Sequence, residues 1–220
     1  MRHPGAVTAL RPDYDDDPER WASWRPPQDV VDVVAPELKG PVLDAACGEG
    51  RLRRQLPDAV AWVGLDTSPA QLAANPYPTL VRGDLRALPF ADATFAEVTH
   101  LWCLYHLDDP VPAVAEAARV LRAGGRYFAC CASRHSDPEL LPEGYPPSTF
   151  DAEEAADIVA SVFGDQVEAE RWDEAFFPLE SREEVRRYCR HVAIPPDRAA
   201  DVALPLWLTK RGVLVRATKA

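Results

Sequence analysis

The chain has 220 residues, of which 47% are hydrophobic and 27% charged, so it can bury one sizeable core. Its formal net charge of −11 argues against a broad phosphate-binding surface, and therefore against rRNA, tRNA or DNA as a partner. No apolar run approaches the length of a membrane span, and the N-terminus lacks the apolar segment of a signal peptide. We therefore expect a single cytoplasmic domain over residues 1–220 with no membrane partner.

The cysteines and the paired acids give no sign of a disulfide framework or a metal site. The five cysteines are an odd number without a Cys-x-x-Cys pair, so they predict reduced thiols. Asp108 and Asp109 are adjacent, but the following Pro110 makes them the start of a helix. We therefore predict no bound metal.

Residues 1–28 are rich in acidic and aromatic side chains, including Tyr14, Trp21 and Trp24. Asp17 before Pro18 predicts a helix start, because proline fits the first helical position. This segment is predicted to form an N-terminal helical lid. Its aromatic rings either close over a cationic ligand or attach the helix to the core.

From residue 29 onward, predicted helices and strands alternate. The predicted helices cover residues 29–36, 50–56, 68–74, 110–122, 151–163 and 181–192. The predicted strands cover residues 42–46, 60–65, 79–82, 96–102, 126–132, 166–171 and 213–217. Strands that alternate with helices predict an α/β fold with a mostly parallel sheet and helices on both faces.

Acidic residues stand at the ends of three successive predicted strands. Residues 42–50 read Val-Leu-Asp-Ala-Ala-Cys-Gly-Glu-Gly, so Asp44 precedes a turn that contains two glycines. Asp66 ends the second strand, and Asp84 follows the third. Acids beside a glycine-rich turn at the carboxyl edge of a parallel sheet are typical of a nucleoside site. Glycine lets the backbone approach the ligand, and the next helix start offers N–H groups.

This set of motifs resembles the class I S-adenosylmethionine-dependent methyltransferases of the small-molecule type. The family's first motif is apolar-apolar-Asp-x-Gly-x-Gly-x-Gly, and Ala46 replaces its first glycine here. An alanine suits that position at negative φ and would crowd the ligand only at positive φ. The resemblance implies a Rossmann-like sheet of seven strands whose last strand is antiparallel beside the fifth. It also implies a cofactor-binding core over 29–135 and a C-terminal part over 136–220 with a substrate-side loop.

The resemblance implies S-adenosyl-L-methionine as the cofactor and suggests roles for individual residues. Asp44 would order the glycine turn and approach the methionine amino group. Asp66 would accept both ribose hydroxyls, and Asp84 would accept from the adenine amino group. The other implied cofactor contacts are Tyr14, Ala46, Cys47, Gly48, Gly50, Thr67, Leu85 and Leu101.

His106 precedes the Asp109-Pro110 helix start and matches a histidine common in this family. Its side chain could act as a general base, because histidine titrates near the working pH, or it could brace the loop. A catalytic His106 would favour O- or C-methylation, whereas a structural one leaves open an amine acceptor or catalysis by proximity alone. The loop 133–149 carries Arg134, His135 and Tyr145, which either contribute to acceptor selectivity or are plain surface residues.

The leading hypothesis is methyl transfer to an O, N or C nucleophile of a small organic molecule, by a monomer or a homodimer. One alternative is a protein of the same fold that binds S-adenosylmethionine for non-methylating chemistry or for sensing. The other is an NAD(P)-dependent oxidoreductase, which the absence of Gly-x-Gly-x-x-Gly after the first strand disfavours.

Overall fold

A seven-stranded sheet organises the computed structural model, which describes residues 29–141, 147–191 and 194–220 except the side chains of Phe176, Phe177 and His191. The strand order is β3-β2-β1-β4-β5-β7-β6. Strands β1 to β5 run parallel, and β7 is antiparallel to both β5 and β6. The strands are β1 Val42–Ala45, β2 Trp62–Asp66, β3 Leu80–Arg82, β4 Phe95–Leu101, β5 Leu121–Ala132, β6 Val167–Leu179 and β7 Leu206–Thr218. The predicted sheet with its antiparallel last strand is confirmed.

Helices cover both faces of this sheet, as predicted. The described residues form six α-helices: α1 Val30–Val34, α2 Arg51–Gln55, α3 Pro69–Ala74, α4 Val111–Val120, α5 Ala155–Phe163 and α6 Arg182–His191. Short 3-10 turns cover Ala35–Glu37, Leu104–His106 and Pro196–Ala200. Apolar side chains of α4 and α5 pack on one face, and those of α1 and α2 pack on the other. The predicted N-terminal lid lies outside the described residues.

Three predicted helix starts carry the expected caps. The Asp29 carboxylate accepts from Val31 N at 3.1 Å at the start of α1. The Ser68 hydroxyl accepts from Gln71 N at 3.1 Å at the start of α3. At α6, Ser181 and Glu184 form the reciprocal capping box. Each cap satisfies a backbone N–H that the first helical turn leaves without a partner.

Some predicted boundaries are wrong. Helix α5 begins at Ala155 instead of residue 151, because residues 152–154 form a turn in which Glu154 N and Ala155 N donate to Asp151 O. The Asp151 carboxylate accepts from Glu153 N within this turn and also from Arg134 N. Strands β6 and β7 are each 13 residues long, far longer than the predicted 166–171 and 213–217. Their outer halves pair only with each other, so they lack the apolar pattern of a strand buried between neighbours.

These outer halves (residues 173–179 and 206–211) and α6 form a unit that we call the C-terminal arm. β5 ends at Ala132, opposite Gly212, and the arm continues past that carboxyl end. A third apolar cluster fills the arm, including Leu140, Leu179, Val185, Tyr188 and Leu208. The arm therefore lies on the side of the sheet where the candidate site is found.

Candidate active site

The turn after β1 wraps around the end of β2. Ala46 N and Cys47 N both donate to Leu65 O, at 2.7 and 3.0 Å. Gly50 precedes α2 with φ +87°, and a Cβ there would lie 2.8 Å from Asn75 Oδ1. Glycine is required at this position because both the backbone angle and the available space exclude a side chain.

Ala46 has a φ of 69°, in the left-handed region, and not the negative φ that suits an alanine. The expected accommodation of alanine at this position is therefore wrong. The left-handed conformation costs an alanine roughly 1–2 kcal/mol, since its Cβ crowds the backbone. The turn keeps its shape because the backbone bonds to Leu65 hold it.

Asp66 ties the glycine turn to the end of β2. Its Oδ2 accepts from Gly48 N, and its Oδ1 accepts from Ser68 N, both at 2.9 Å. The residue is 5% exposed. A carboxylate offers about four acceptor sites, so hydroxyl groups of a ligand can add to these two bonds.

Asp44 is buried at the end of β1, on the strand next to Asp66. Thr99 Oγ1 donates to its Oδ1 at 3.0 Å, and Trp62 Nε1 lies 3.4 Å from its Oδ2. Burial, with a smaller contribution from the charge of Asp66, raises the pKa of Asp44 to about 7, although the two hydrogen bonds act to lower it. Asp44 can therefore exchange a proton near neutral pH and favours a cationic ligand group in its ionised form.

Asn75, Trp62 and Thr99 belong to this site but were not anticipated from the sequence. Asn75 Nδ2 donates to Gly48 O at 2.9 Å and thereby supports the glycine turn. It also lies 3.7 Å from the Cys47 sulfur. Burial raises the pKa of the Cys47 thiol well above its usual value, so Cys47 is a neutral packing group. The Asn-Pro pair at 75–76 is a local pattern typical of a turn and gives no sign of this contact.

Asp84 lies at the same edge, because Gly83 N donates to Asp66 O at 3.0 Å. Its half-exposed carboxylate pairs with Arg86 at 2.6 Å, and these hydrogen bonds lower the pKa of Asp84. Leu85 is half-buried against the core, and Thr67 is exposed. The structure thus brings the three predicted acids to one edge of the sheet.

The end of β4 adds Leu101 and the turn that holds His106. Leu101 is the last residue of β4, and His106 ends the 3-10 turn that begins at Leu104. The half-buried His106 ring lies 4.5 Å from the Tyr105 ring, centroid to centroid. Thr149 Oγ1 donates to Leu107 O at 2.5 Å, which attaches the loop before α5 to this turn.

His100 is fully buried, with Nδ1 2.8 Å from Tyr127 Oη. Burial lowers the pKa of His100 to about 3, so the ring stays neutral. His100 is therefore a packing group, which leaves His106 as the candidate base near the end of this strand.

The loop that follows β5 carries a cluster of ion pairs. The Arg134 guanidinium pairs with Asp151 at 3.2 Å, with Glu153 at 3.5 Å and with Glu154. These carboxylates lie close enough to hold a cation, and Arg134 supplies that positive charge. The contacts give Arg134 a structural role, and its part in acceptor selectivity stays a prediction. His135 is exposed, whereas Tyr14, Trp21, Trp24 and Tyr145 lie outside the described residues.

All five cysteines are buried free thiols, as predicted. In the part of the chain that the structure describes, no helix combines the length and apolarity needed to cross a membrane.

Comparison with known proteins gives matches over the site-bearing half of the sheet. A methyltransferase domain model matches residues 43–129. A demethylmenaquinone methyltransferase of Renibacterium salmoninarum is 37% identical over 102 residues, which are 44% of this chain and 43% of that protein. A ubiquinone/menaquinone biosynthesis C-methyltransferase of Geobacter sulfurreducens is 36% identical over 117 residues, 47% of this chain and 45% of that protein. The matched part thus spans less than half the length of these relatives.

Among solved structures, the fold resembles a Haemonchus contortus phosphoethanolamine N-methyltransferase that was crystallised with S-adenosylhomocysteine. The TM-score is 0.60 at 17% identity, over 94% of this chain and 58% of that chain. At this identity the likeness extends to the fold alone.

Proposed function

We propose that this chain, which belongs to the class I S-adenosylmethionine-dependent methyltransferase family, transfers a methyl group from S-adenosylmethionine to a small organic acceptor. The supporting observation is Asp66, whose carboxylate joins the glycine turn to the end of β2. This arrangement lies where the strand order reverses between β1 and β4, the usual ligand crevice of an open parallel sheet.

The residues at this edge fit the chemical groups of the proposed cofactor. Asp66 would accept from the ribose hydroxyls, and Asp44 would face the methionine ammonium group. Asp84 would accept from the adenine amino group, after its carboxylate turns from Arg86. The remaining proposed contacts are Tyr14, Ala46, Cys47, Gly48, Gly50, Thr67, Leu85 and Leu101. These carboxylate oxygens can accept hydrogen bonds from the hydroxyl, ammonium and amino groups of the cofactor, and the apolar core lies beside them.

The cofactor supplies a methyl group made electrophilic by a positively charged sulfur. The task of the chain is to hold the acceptor in line and to exclude water. His106 would remove the acceptor proton, because its half-buried imidazole lies in the turn that follows β4 and histidine is the usual general base among side chains. A base matters for a hydroxyl or a carbon acid more than for a neutral amine.

The names of the relatives support a small organic acceptor and favour a carbon nucleophile. One relative is named a demethylmenaquinone methyltransferase and another a C-methyltransferase. For this chain we propose a small organic acceptor and, more specifically, methylation at a carbon atom.

We further propose one domain, with residues 1–28 as a lid, 29–135 as the cofactor core and 136–220 as the acceptor-side part. The reduced state of the buried thiols supports a cytoplasmic location. The proposed enzyme works as a monomer or a homodimer.

The test is production of S-adenosylhomocysteine by the purified full chain with S-adenosylmethionine and a panel of hydroquinols, phenols and amines. We expect methylated product and S-adenosylhomocysteine in equal amounts with at least one acceptor. Binding of S-adenosylmethionine without methyl transfer to any acceptor would support the non-methylating alternative and contradict the proposal.

His106→Ala should lower turnover by roughly 10²–10⁴-fold, the usual contribution of a general base, while the Kd for S-adenosylhomocysteine stays unchanged. Asp58→Ala, at a fully exposed aspartate that precedes β2, is the control and should keep full turnover. Unchanged turnover in His106→Ala would limit this residue to bracing the turn.

A further inference from the structure

We propose that Trp102 and Trp172 form an aromatic floor that receives a planar aromatic methyl acceptor beside the cofactor turn. This inference rests on the proposed methyl transfer and names the acceptor class of the same site. It depends on where the two indoles lie, how they meet and what backbone strain accompanies them.

Strand register places both tryptophans at the carboxyl edge of the sheet. Asp44 pairs with Thr99, so the same register puts Trp102 level with Cys47 in the glycine turn. On the other side, Gly212 pairs with Trp172 and with Ala132, the last residue of β5. The two indoles therefore start from opposite sides of the β5 end, at the level of the cofactor turn.

The rings reach toward each other across two strands. Trp102 follows β4, Trp172 lies on β6, and β5 and β7 separate them, so their backbones are about 14 Å apart. Their ring centroids are nevertheless 5.9 Å apart, with planes at 67°, in an edge-to-face contact. The two side chains together therefore cover the sheet surface between β4 and β6.

Gly212 lets the Trp172 ring lie over β7. A Cβ on Gly212 would stand 2.2 Å from Cζ2 of Trp172 and 2.6 Å from Cys131 O. Any side chain at 212 would displace the Trp172 ring, so this glycine is part of the floor.

Trp102 holds a strained backbone at the position where the chain leaves β4. Its φ is 60°, in the left-handed region that a bulky residue rarely adopts. Such a conformation is energetically unfavourable and persists only where surrounding contacts maintain it. Here Trp102 N donates to Cys130 O at 3.3 Å, and its side chain packs with Trp172 against the apolar cluster of α1 and α2.

The surroundings favour an uncharged aromatic acceptor over an ionic one. Phe128, Cys130 and Leu214 belong to the apolar cluster beneath the floor, and Trp102 and Trp172 are each half-buried. The nearby charges of Asp173 and Arg211 neutralise each other in a 2.9 Å ion pair. A flat aromatic ring gains from edge-to-face or stacked contacts with the indoles in addition to the burial of its surface.

The test titrates 2-naphthol and decahydro-2-naphthol into the full chain saturated with S-adenosylhomocysteine, by calorimetry. We expect naphthol to bind and its saturated counterpart to bind at least about tenfold more weakly. Trp102→Leu and Trp172→Leu should each weaken naphthol binding about tenfold, whereas Trp102→Phe should retain most of it. Trp207→Leu, which removes a 54% exposed tryptophan outside the floor, is the matched control and should bind as the unaltered chain does.

Unchanged naphthol binding in folded Trp102→Leu or Trp172→Leu would overturn the proposal. Equal binding of 2-naphthol and decahydro-2-naphthol would also overturn it. Tighter binding of tetramethylammonium than of 2-naphthol, in a manner that depends on Trp102, would do the same. Circular dichroism checks folding, and Trp102→Phe keeps the inference falsifiable if a leucine variant unfolds. If S-adenosylhomocysteine does not bind but naphthol binding depends on both tryptophans, the floor stands and the proposed methyl transfer fails.

Discussion

Ala46 holds a left-handed backbone conformation inside the turn that would carry the cofactor. Glycine would adopt this conformation without the Cβ clash, at the cost of greater freedom in the unfolded chain. Ala46→Gly should therefore raise the free energy of unfolding by about 0.5–1 kcal/mol, the difference between these effects. Urea unfolding measures the change.

Ala45→Gly is the matched control, since Ala45 is fully buried at the end of β1 and has no positive φ. This control should lower the free energy of unfolding by about 1 kcal/mol, because glycine removes the buried methyl group of Ala45 and increases the conformational entropy of the unfolded chain. Destabilisation by Ala46→Gly as well would show that the left-handed conformation carries no strain.

Asp44 should make the stability of the chain depend on pH. Because its pKa rises from 3.8 in the unfolded chain to about 7 in the folded one, the folded state holds the extra proton between these values. Its contribution to stability is then fully present below pH 3.8 and is lost as pH rises through about 7. The loss is of order 1–4 kcal/mol, at 1.36 kcal/mol per unit of pKa.

Asp44→Asn tests this dependence with a neutral side chain of the same shape. The Asn oxygen can accept from Trp62 Nε1, and its amide can donate to the Thr99 hydroxyl once that hydroxyl rotates. Urea unfolding from pH 5 to 8 should show that the free energy of unfolding of the variant increases relative to that of the unaltered chain as pH rises. A constant difference between the two proteins across this range would refute the raised pKa of Asp44.

Sequence reasoning found Asp44, Asp66 and Asp84 because each ends a readable strand at a known edge. It missed Trp62, Thr99 and Asn75 because their contacts join residues 18, 55 and 27 positions apart. Nothing local in the sequence marks such partners. The left-handed φ of Ala46 was likewise hidden, since it follows from the backbone bonds to Leu65.

At the element scale, a buried polar cluster attaches the C-terminal arm to the loop after β5. Asp137 Oδ2 accepts from Tyr188 Oη at 2.7 Å and from Lys210 Nζ at 2.6 Å. Burial raises the pKa of Tyr188 well above its usual value, so the phenol stays neutral and donates. The cluster joins the loop, α6 and β7 through side chains that the apolar pattern does not reveal.

Tyr188→Phe should lower the free energy of unfolding by about 1–3 kcal/mol, because Asp137 loses a buried hydrogen-bond donor. Hydrogen exchange should accelerate at amides of the arm such as those of Thr209 and Leu208. The amides of β1 and β2 provide the internal control and should exchange at an unchanged rate. Equal acceleration in β1 and in the arm would show that the cluster does not act locally.

The long strands of this arm explain why its extent could not be predicted. Pro178 and Pro205 mark breaks in the sequence, and Pro178 nevertheless pairs with Trp207 inside the β6–β7 ladder. Proline is tolerated there because β6 is the edge strand. By contrast, the apolar runs of β1, β2 and β4 have neighbours on both sides and were readable from the sequence.

For the whole molecule, the sheet order places β1 between β2 and β4, so that the ends of these strands meet at one edge. The alternation of strands and helices was sufficient to predict this architecture and the edge at which Asp44, Asp66 and Asp84 meet. The proposed acceptor side depends on the C-terminal arm and on long-range aromatic contacts. It could not be read in advance, because no short sequence pattern encodes those contacts.

The central claim is that Asp66 holds S-adenosylmethionine at the turn after β1, and calorimetry with S-adenosylhomocysteine tests it most directly. Asp58→Ala, at a fully exposed aspartate, is the matched control and should bind like the unaltered chain. Asp66→Ala should raise the Kd at least about tenfold, because it removes charge-assisted bonds to the ribose and the support of Gly48 N. Equal affinities of the two variants, or tighter binding of NADH than of S-adenosylhomocysteine by the unaltered chain, would contradict the account.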